Sequence, residues 1–299
     1  MASISLEGLT KRYGALTAVS NLTLAVEEGE ILGFLGLNGA GKTTTIRLLL
    51  DLLRPSSGKA SIFGHDCQSD GLRARAQIGY LPSEMGIYAD LTGGQLLSLL
   101  DGLNPRPAKP AYVRELQERL QLPDADLRRK LREYSTGMKR KLGIIQAFQA
   151  DPPLLILDEP TEGLDPLMQE SFYNLLSDAQ RRGRTVFFSS HVLTEVDRVC
   201  QRVALLRKGE LVLLDSVEEC RKRVARSVLV KFRDVAPAPR GLPPEVQIVE
   251  TGPRFWRLKV LGPLGSLLRE LASLPVDDIE VSEAKLEDAV LDYYRGDAA

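Results

Sequence analysis

The chain has 299 residues, of which 43% are hydrophobic and 26% are charged, and these values are typical of a globular protein. Its 39 Lys and Arg residues nearly balance its 40 Asp and Glu residues, which argues against a general nucleic-acid binder. No apolar run approaches the roughly 20 residues that cross a bilayer, and the first residues do not resemble a signal peptide. Three cysteines without Cys-x-x-Cys spacing suit free thiols in a reducing compartment, so we expect a soluble cytoplasmic protein.

Strands and helices alternate along the first part of the chain, from Ile4 to about Asp215. This alternation predicts an α/β domain built on parallel strands. The predicted elements, in chain order, are a strand at 30–35, a helix at 43–53, a strand at 78–81, mostly helical chain at 91–131, and strands at 154–157, 186–189, 203–206 and 211–214. We expect the last two strands to form a hairpin that turns at Lys208-Gly209.

The pattern changes after Asp215, where a charged helix precedes a new series of short elements. Val228, Val230 and Phe232 lie on one face of a predicted strand, and a proline-rich loop follows it. The sequence thus predicts a main domain at 1–216, which includes a helical subdomain at about 85–140. A linker helix at 217–226 and a small α+β domain at 227–299 complete the predicted organisation.

The main domain contains a glycine-rich loop between a predicted strand and a predicted helix. Its sequence is Gly36-Leu37-Asn38-Gly39-Ala40-Gly41-Lys42-Thr43, which fits the pattern G-x-x-x-x-G-K-[ST]. Glycines let the backbone curl so that N–H groups point at phosphate oxygens, and the amino end of the following helix favours an anion. Lys42 can neutralise the β- and γ-phosphates of a nucleotide, and the Thr43 hydroxyl can bind Mg²⁺.

A second candidate feature is the apolar strand at 154–157, which ends in Asp158-Glu159. In a domain with a phosphate loop, an acid at a neighbouring strand end is placed to hold Mg²⁺, and we assign this role to Asp158. Glu159 points to the other side of the strand and can polarise the attacking water. The two features together predict hydrolysis of a nucleotide.

These motifs resemble those of the nucleotide-binding subunit of ATP-binding cassette (ABC) transporters, over roughly residues 1–220. Further motifs follow in the family's order: Lys11-Arg12-Tyr13-Gly14, Tyr134-Ser135-Thr136-Gly137-Met138-Lys139, Gly163-Leu164-Asp165-Pro166 and Ser189-Ser190-His191. The resemblance implies an α/β fold of the P-loop NTPase type with a helical subdomain. It also implies an ATPase that drives transport.

The resemblance implies which residues bind ATP. Tyr13 matches the aromatic residue that stacks on adenine. The implied phosphate-binding residues are Gly36, Asn38, Gly39, Ala40, Gly41, Lys42, Thr43 and Thr44. Ser135 and the backbone near Gly137 match the signature that binds the γ-phosphate of ATP held by the opposite subunit. Asp165 lies in the loop that crosses the interface between the two subunits.

The resemblance also implies the catalytic residues and the metal ligands. Glu159 is the implied base, Lys42 neutralises phosphate charge, and His191 contacts the γ-phosphate. The family usually has Gln after Tyr-Leu-Pro as a Mg²⁺ ligand, but here Tyr80-Leu81-Pro82 is followed by Ser83 and then Glu84. We assign the metal contacts to Thr43, Asp158 and Ser83, and Glu84 or a bridging water remains an alternative to Ser83.

The expected partners follow from the same resemblance. A head-to-tail pair would sandwich two ATP molecules, and the second subunit is a copy of this chain or a relative of it. An integral-membrane permease subunit would dock near residues 83–91 and the helical segment that follows, and it would convert the ATP-driven motion into transport. The form Y-S-x-G-M of the signature resembles the exporter branch with separate ATPase and membrane chains. We therefore expect a protein on the cytoplasmic face of the membrane, attached only through its permease, with no nucleic-acid partner.

Two other function classes compete with a transporter subunit. A soluble ABC-type ATPase of ribosomes or DNA usually has two cassettes or a long coiled-coil insertion. Here a single cassette has about 90 residues between its phosphate loop and its signature, and prolines at 105, 107, 110 and 123 interrupt the mostly helical part of them. A module that only binds ATP and dimerises has Ser83 in its favour, but Glu159 and His191 count against it.

Overall fold

The computed structural model describes residues 2–84, 88–282 and 285–295, so residues 85–87 at the start of the predicted helical subdomain lie outside it. The chain divides into two units, Met1–Leu214 and Asp215–Ala299. Within the described ranges, no helix is long and apolar enough to cross a membrane. Cys67, Cys200 and Cys220 are free, as the sequence predicts, and all three are buried.

Strands and helices of the first unit have the following bounds. The strands are β1 (Ala2–Tyr13), β2 (Leu16–Glu27), β3 (Ile31–Leu35), β4 (Ser57–Ile62), β5 (His65–Asp66), β6 (Ile78–Leu81), β7 (Leu154–Asp158), β8 (Thr185–Ser190), β9 (Arg202–Arg207) and β10 (Glu210–Ser216). The helices are α1 (Lys42–Leu49), α2 (Gly71–Arg75), α3 (Gly93–Gly102), α4 (Pro110–Arg119), α5 (Asp124–Leu127), α6 (Thr136–Phe148), α7 (Pro166–Arg181) and α8 (Leu193–Val199).

The central sheet of the first unit has the strand order β10-β9-β3-β8-β7-β6. β3 pairs in parallel with β8 and β9, and β7 pairs in parallel with β8 and β6. Every residue of β3, β7 and β8 is buried, as expected for parallel strands that are covered on both faces. Because these strands run in one direction, the loops that follow them meet at the carboxyl edge of the sheet.

A separate antiparallel sheet, with the order β2-β1-β4-β5, departs from the sequence prediction. The prediction of parallel strands from Ile4 onward is wrong for this part of the chain. β1 and β2 form a long hairpin whose turn includes Gly14, with a φ of 58°. A two-residue turn can only join antiparallel strands, whereas parallel strands need a longer crossover.

The predicted element boundaries hold in some places and fail in others. The helix predicted at 43–53 ends at Leu49, and Asp51 has a left-handed φ of 58° that an α-helix does not accept. The predicted hairpin is confirmed, because β9 and β10 are neighbours and the turn residues Lys208 and Gly209 have φ angles of 50° and 84°. Two positive φ angles are typical of the tight turn that matches strand twist.

The second unit is built on one antiparallel sheet of order β12-β13-β11-β14. Its elements are α9 (Val217–Lys222), β11 (Arg226–Phe232), β12 (Val246–Gly252), β13 (Phe255–Val260), α10 (Gly265–Leu271), β14 (Val276–Val281) and α11 (Leu286–Arg295). The buried core consists of Val228, Val230, Phe232, Trp256, Leu258, Val260, Leu267 and Leu271. The alternation predicted for β11 is therefore observed, and β13 alternates in the same way, whereas the exposed edge strand β12 was not predicted.

Candidate functional site

The loop between β3 and α1 adopts the tight curl that its glycines predict. Gly39 and Gly41 have φ angles of 82° and 110°, which residues with side chains rarely adopt. A Cβ atom at Gly41 would lie 2.5 Å from the carbonyl oxygen of Ala18, so only glycine fits there. α1 begins at Lys42, and a helix amino end carries unpaired N–H groups and partial positive charge.

Lys42, Glu159 and His191 form one cluster at the carboxyl edge of the central sheet. Lys42 is 6% exposed, and its Nζ lies 3.2 Å from Oε1 of Glu159. The same Nζ donates a hydrogen bond to the carbonyl oxygen of Gly36 at 2.6 Å. Oε2 of Glu159 lies 2.8 Å from Nδ1 of His191. A single carboxylate thus contacts the side chains of two other loops.

The backbone at Glu159 also departs from ordinary geometry. Glu159 has a φ of 48°, although it follows directly after the extended strand β7. A residue with a side chain adopts this left-handed conformation at a cost, and such positions cluster at functional sites. The turn takes the chain out of the strand at the residue whose carboxylate contacts Lys42 and His191.

Thr43 and Asp158 lie beside this cluster and supply oxygen donors. The Thr43 hydroxyl donates to Oδ2 of Asp158 at 3.1 Å, and the Ser189 hydroxyl donates to Oδ1 at 2.6 Å. Asp158 is fully buried, and a buried carboxylate is tolerated only when it is hydrogen-bonded or paired. Burial raises the pKa of Tyr80 to about 12, and the Asp158 carboxylate adds to that increase. Hydroxyl and carboxylate oxygens are the donors that Mg²⁺ prefers, so the residues at this edge fit a magnesium ion.

Ser135 and Gly137 belong to a second group, together with the loop of Asp165. Ser135 caps the amino end of α6, and its hydroxyl accepts a hydrogen bond from the N–H of Met138 at 3.2 Å. A Cβ atom built on Gly137 would lie 3.1 Å from the carbonyl oxygen of Gly163. Asp165 caps α7 by accepting from the N–H of Met168 at 3.0 Å. The two capping side chains are exposed at helix amino ends.

Tyr13 and Ser83 take no part in the side-chain contacts that define these two groups. The ring of Tyr13 is 46% exposed, and Nζ of Lys11 lies 5.0 Å from its centre. The side chain of Ser83 is half-buried. The backbone carbonyl oxygen of Ser83 accepts a hydrogen bond from Arg140 at 2.6 Å. Glu84 is exposed. The structure therefore connects Ser83 to its surroundings through the backbone.

Two buried charged side chains near the cluster, Arg140 and Glu195, have no counterpart among the sequence predictions. They are 5% and 7% exposed. Burial lowers the pKa of the Arg140 guanidinium, and the carboxylates of Glu162, Asp158 and Glu159 oppose that shift. Arg140 stands between Lys139 and Lys141, so the sequence offers no signal for which of the three basic residues is buried.

A parallel sheet with a phosphate loop after β3 and a pair of acids at the end of β7 defines the class of phosphate-loop nucleoside triphosphatases. A family model for ABC transporters matches residues 19–162. A solved structure of an ATP-binding subunit of an ABC transporter covers 73% of this chain and is itself covered to 92%, with a TM-score of 0.68 and 29% identity.

Curated relatives extend the similarity. A Nostoc ABC transporter ATP-binding protein is 40% identical over 68% of this chain, and the match spans 61% of that relative. The bacitracin transport ATP-binding protein BcrA of Bacillus licheniformis is 38% identical, with 72% of this chain and 70% of BcrA matched. The daunorubicin resistance ATP-binding protein DrrA3 of Streptomyces coeruleorubidus is 32% identical, with 97% of this chain and 93% of DrrA3 matched.

The chain belongs to the family of ABC transporter ATP-binding proteins. It is an ATP-hydrolysing subunit that drives transport, and ATP is its substrate. The fold and the function predicted from the ordered motifs are therefore confirmed.

Proposed function

We propose that this chain hydrolyses ATP with Glu159 as the general base. The observation that carries the proposal is the cluster in which one carboxylate lies 3.2 Å from Lys42 and 2.8 Å from His191. A carboxylate at the end of a strand beside a phosphate loop is positioned to accept a proton from an attacking water. Lys42 neutralises charge on the β- and γ-phosphates, and His191 contacts the γ-phosphate.

The phosphate loop holds the nucleotide in this proposal. The residues concerned are Gly36, Asn38, Gly39, Ala40, Gly41, Lys42, Thr43 and Thr44. Positive φ angles at Gly39 and Gly41 support a backbone that cradles an anion. Tyr13 offers an exposed ring on which adenine stacks.

Thr43, Asp158 and Ser83 are the proposed ligands of Mg²⁺. The 3.1 Å contact between the Thr43 hydroxyl and the Asp158 carboxylate supports the first two. When bound, the ion neutralises charge on the phosphates during hydrolysis. Ser83 has a shorter side chain than the Gln that the family usually carries at this place, and Glu84 is the alternative ligand.

Ser135, Gly137 and Asp165 complete the site of a second subunit in this proposal. Their grouping at two exposed helix amino ends supports this role, because such ends attract the phosphates of a bound nucleotide. Two copies of this chain, related by a two-fold axis, then enclose two ATP molecules. Binding of ATP closes the pair, and hydrolysis opens it again.

The membrane partner in this proposal is a separate permease, and the direction of transport is export. Support comes from the similarity to BcrA and DrrA3, whose names refer to bacitracin transport and daunorubicin resistance. The permease docks near residues 83–91 and the helical segment that follows, and it holds the chain at the cytoplasmic face of the membrane. We also propose the domain division 1–216, 217–226 and 227–299, with the helical subdomain at about 85–140.

The test is the ATPase activity of the purified chain with Mg²⁺ across a range of protein concentrations, with Lys42→Ala as the control. We expect activity to rise more steeply than linearly with concentration and to vanish in the control, because identical chains complete each other's sites. A rate that is strictly proportional to protein concentration from the lowest level upward would contradict the two-chain site. Activity that persists in Lys42→Ala would contradict the assigned phosphate loop.

A further inference from the structure

Two buried charged side chains hold the same short segment of the chain, Thr161-Glu162. This segment begins two residues after Glu159 and leads into the loop of Asp165. Arg140 on α6 bonds to its backbone, and Glu195 on α8 bonds to its side chain. The segment is therefore fixed by charges from two different helices.

Arg140 uses all three nitrogens of its guanidinium on backbone oxygens. Nε donates to the carbonyl of Glu162 at 3.1 Å, Nη1 to Pro82 at 2.8 Å and Nη2 to Ser83 at 2.6 Å. A planar guanidinium makes several such bonds in fixed directions, which a lysine ammonium does not reproduce. The side chain thus ties the loop of Ser83 to the segment that follows Glu159.

Glu195 makes the corresponding connection toward His191. Its Oε1 accepts a hydrogen bond from the Thr161 hydroxyl at 2.6 Å, and its Oε2 accepts one from the Ser190 hydroxyl at 2.8 Å. The Ser190 oxygen in turn accepts from the N–H of Val192 at 2.9 Å, on the far side of His191. The carboxylate therefore braces the loop that carries His191 against the segment that follows Glu159.

We propose that Arg140 and Glu195 act together as positioning residues for ATP hydrolysis. They join three loops, those of Ser83, Glu159 and His191, into one hydrogen-bonded unit. The proposal rests on the proposed function, because it requires that Glu159 and His191 act on ATP. Neither residue touches the substrate in this proposal; each acts by holding the loops that carry the reacting groups.

The free-energy cost of burying a charge suggests that Arg140 and Glu195 have a role beyond stability. A buried charge is expensive unless its bonds are complete, and an apolar pair of similar size often packs with equal or greater stability. Here Glu195 bonds to hydroxyls close to Glu159 and His191. Arg140 bonds to carbonyl oxygens of the segment after Glu159 and of the loop of Ser83. A complete buried network restricts movement of the parts that it joins, and a displacement of about 1 Å can reduce a rate about 10²-fold.

The experiment compares Arg140→Lys, Glu195→Gln and the double variant with two matched controls. Arg184→Lys alters an arginine paired with Asp151 at the opposite end of the central sheet, and Glu30→Gln alters a carboxylate paired with Arg202. Steady-state ATPase assays give kcat and KM, a fluorescent trinitrophenyl-ATP gives nucleotide affinity, and thermal unfolding confirms that each variant is folded.

We expect kcat to fall about tenfold in each positioning variant, while KM for ATP changes less than about threefold. The double variant loses less than the product of the two single losses, because both residues hold one segment. Glu195→Gln retains more activity than Glu195→Ala, since an amide still bonds to one hydroxyl. The two control variants keep the parental kcat.

An unchanged kcat in the folded positioning variants overturns the proposal, and so do losses that simply multiply in the double variant. Ser190→Ala is the further test if a charge variant does not fold, because it removes one hydroxyl and leaves both charges in place. It lowers kcat if the proposal is right and leaves kcat unchanged if it is wrong. Glu159→Gln is measured in parallel. Full turnover in Glu159→Gln refutes the proposed function itself. If Glu159→Gln loses turnover while the positioning variants keep the parental kcat, only this inference is refuted.

Discussion

The carboxyl edge of the central sheet and the sheet of the second unit differ in the burial of their charged side chains. At the carboxyl edge, Lys42, Arg140 and Asp158 are no more than 6% exposed, and each has a partner far away in the sequence. In the second unit, Lys231 and Arg257 are exposed and pair with acids on adjacent strands. Among the described residues of that unit, no charged side chain is buried.

This difference leads us to expect that the carboxyl edge governs activity and that the core of the second unit governs stability. Burying apolar groups stabilises a fold, whereas burying charge costs free energy that only complete bonding offsets. The second unit follows the first rule, since its core around Trp256 is apolar. In the proposed function, the carboxyl edge retains buried charge because ATP hydrolysis needs it. Substitutions should therefore reduce activity at the carboxyl edge and stability in the second unit.

Leu258→Ala should give the largest effect, and on stability alone. Leu258 is fully buried in the core of the second unit. Removing such a side chain costs about 2–5 kcal/mol, because a cavity remains. Urea unfolding followed by the fluorescence of Trp256, the single tryptophan, should show a lower midpoint. The kcat for ATP should be unchanged at urea concentrations below the unfolding transition. A loss of kcat in the folded variant would show that activity also depends on the core of the second unit.

Glu159→Gln tests the other region. We expect kcat to fall at least about 10²-fold, equivalent to about 2.7 kcal/mol of barrier, because an amide cannot accept the proton from water. ATP binding should survive, and urea unfolding should change little. Glu170→Gln, which alters an exposed carboxylate paired with Arg198, is the control with normal turnover. Near-normal turnover in Glu159→Gln would remove this residue from the role of base.

Asp151→Asn tests an intermediate case, a partly buried ion pair at the amino end of β7. Burial acts to raise the pKa of Asp151, but hydrogen bonds and charge from Arg184 and Arg182 outweigh it and hold the pKa below its ordinary value. The ionised form therefore stabilises the fold at pH values above the unfolded pKa of about 4, and this contribution disappears as pH falls through the lower folded pKa.

We expect Asp151→Asn to lower the free energy of unfolding at pH 7 by about 1 kcal/mol without changing kcat. Its stability should fall less steeply than that of the parent chain as the pH is lowered below about 4. Urea unfolding at a series of pH values checks both points. Parallel stability curves for the two proteins would show that this carboxylate contributes nothing to the acid dependence.

Lys231→Gln should give the smallest effect. Lys231 is exposed and contacts Asp278 and Glu280 on the neighbouring strand. Exposed ion pairs of this kind contribute little, because water and salt screen them. The urea midpoint and kcat should both match the parent chain within error. A clear loss of stability would show that surface charge matters more in the second unit than its apolar core suggests.

Much of the nucleotide edge could be predicted from local sequence. Asp158 ends one short apolar strand, His191 directly follows another strand, and Lys42 follows the glycine-rich loop after a third. Parallel strands bring these ends to one edge of the sheet. The alternation in β11 likewise predicted that Val228, Val230 and Phe232 share one face, and these residues lie in the second core. These predictions succeed because motif spacing and side-chain period are properties of neighbouring residues.

Tertiary structure alone decided which charges are buried and how distant segments pair. Arg140 and its two lysine neighbours look alike in the sequence, and only the packing of α6 against the loops of Pro82 and Glu162 makes Arg140 the buried one. The pairing of β1 with β4, across more than forty residues, likewise could not be predicted from the sequence. Burial and strand pairing depend on contacts between segments far apart in the chain, so no local pattern of residues specifies them.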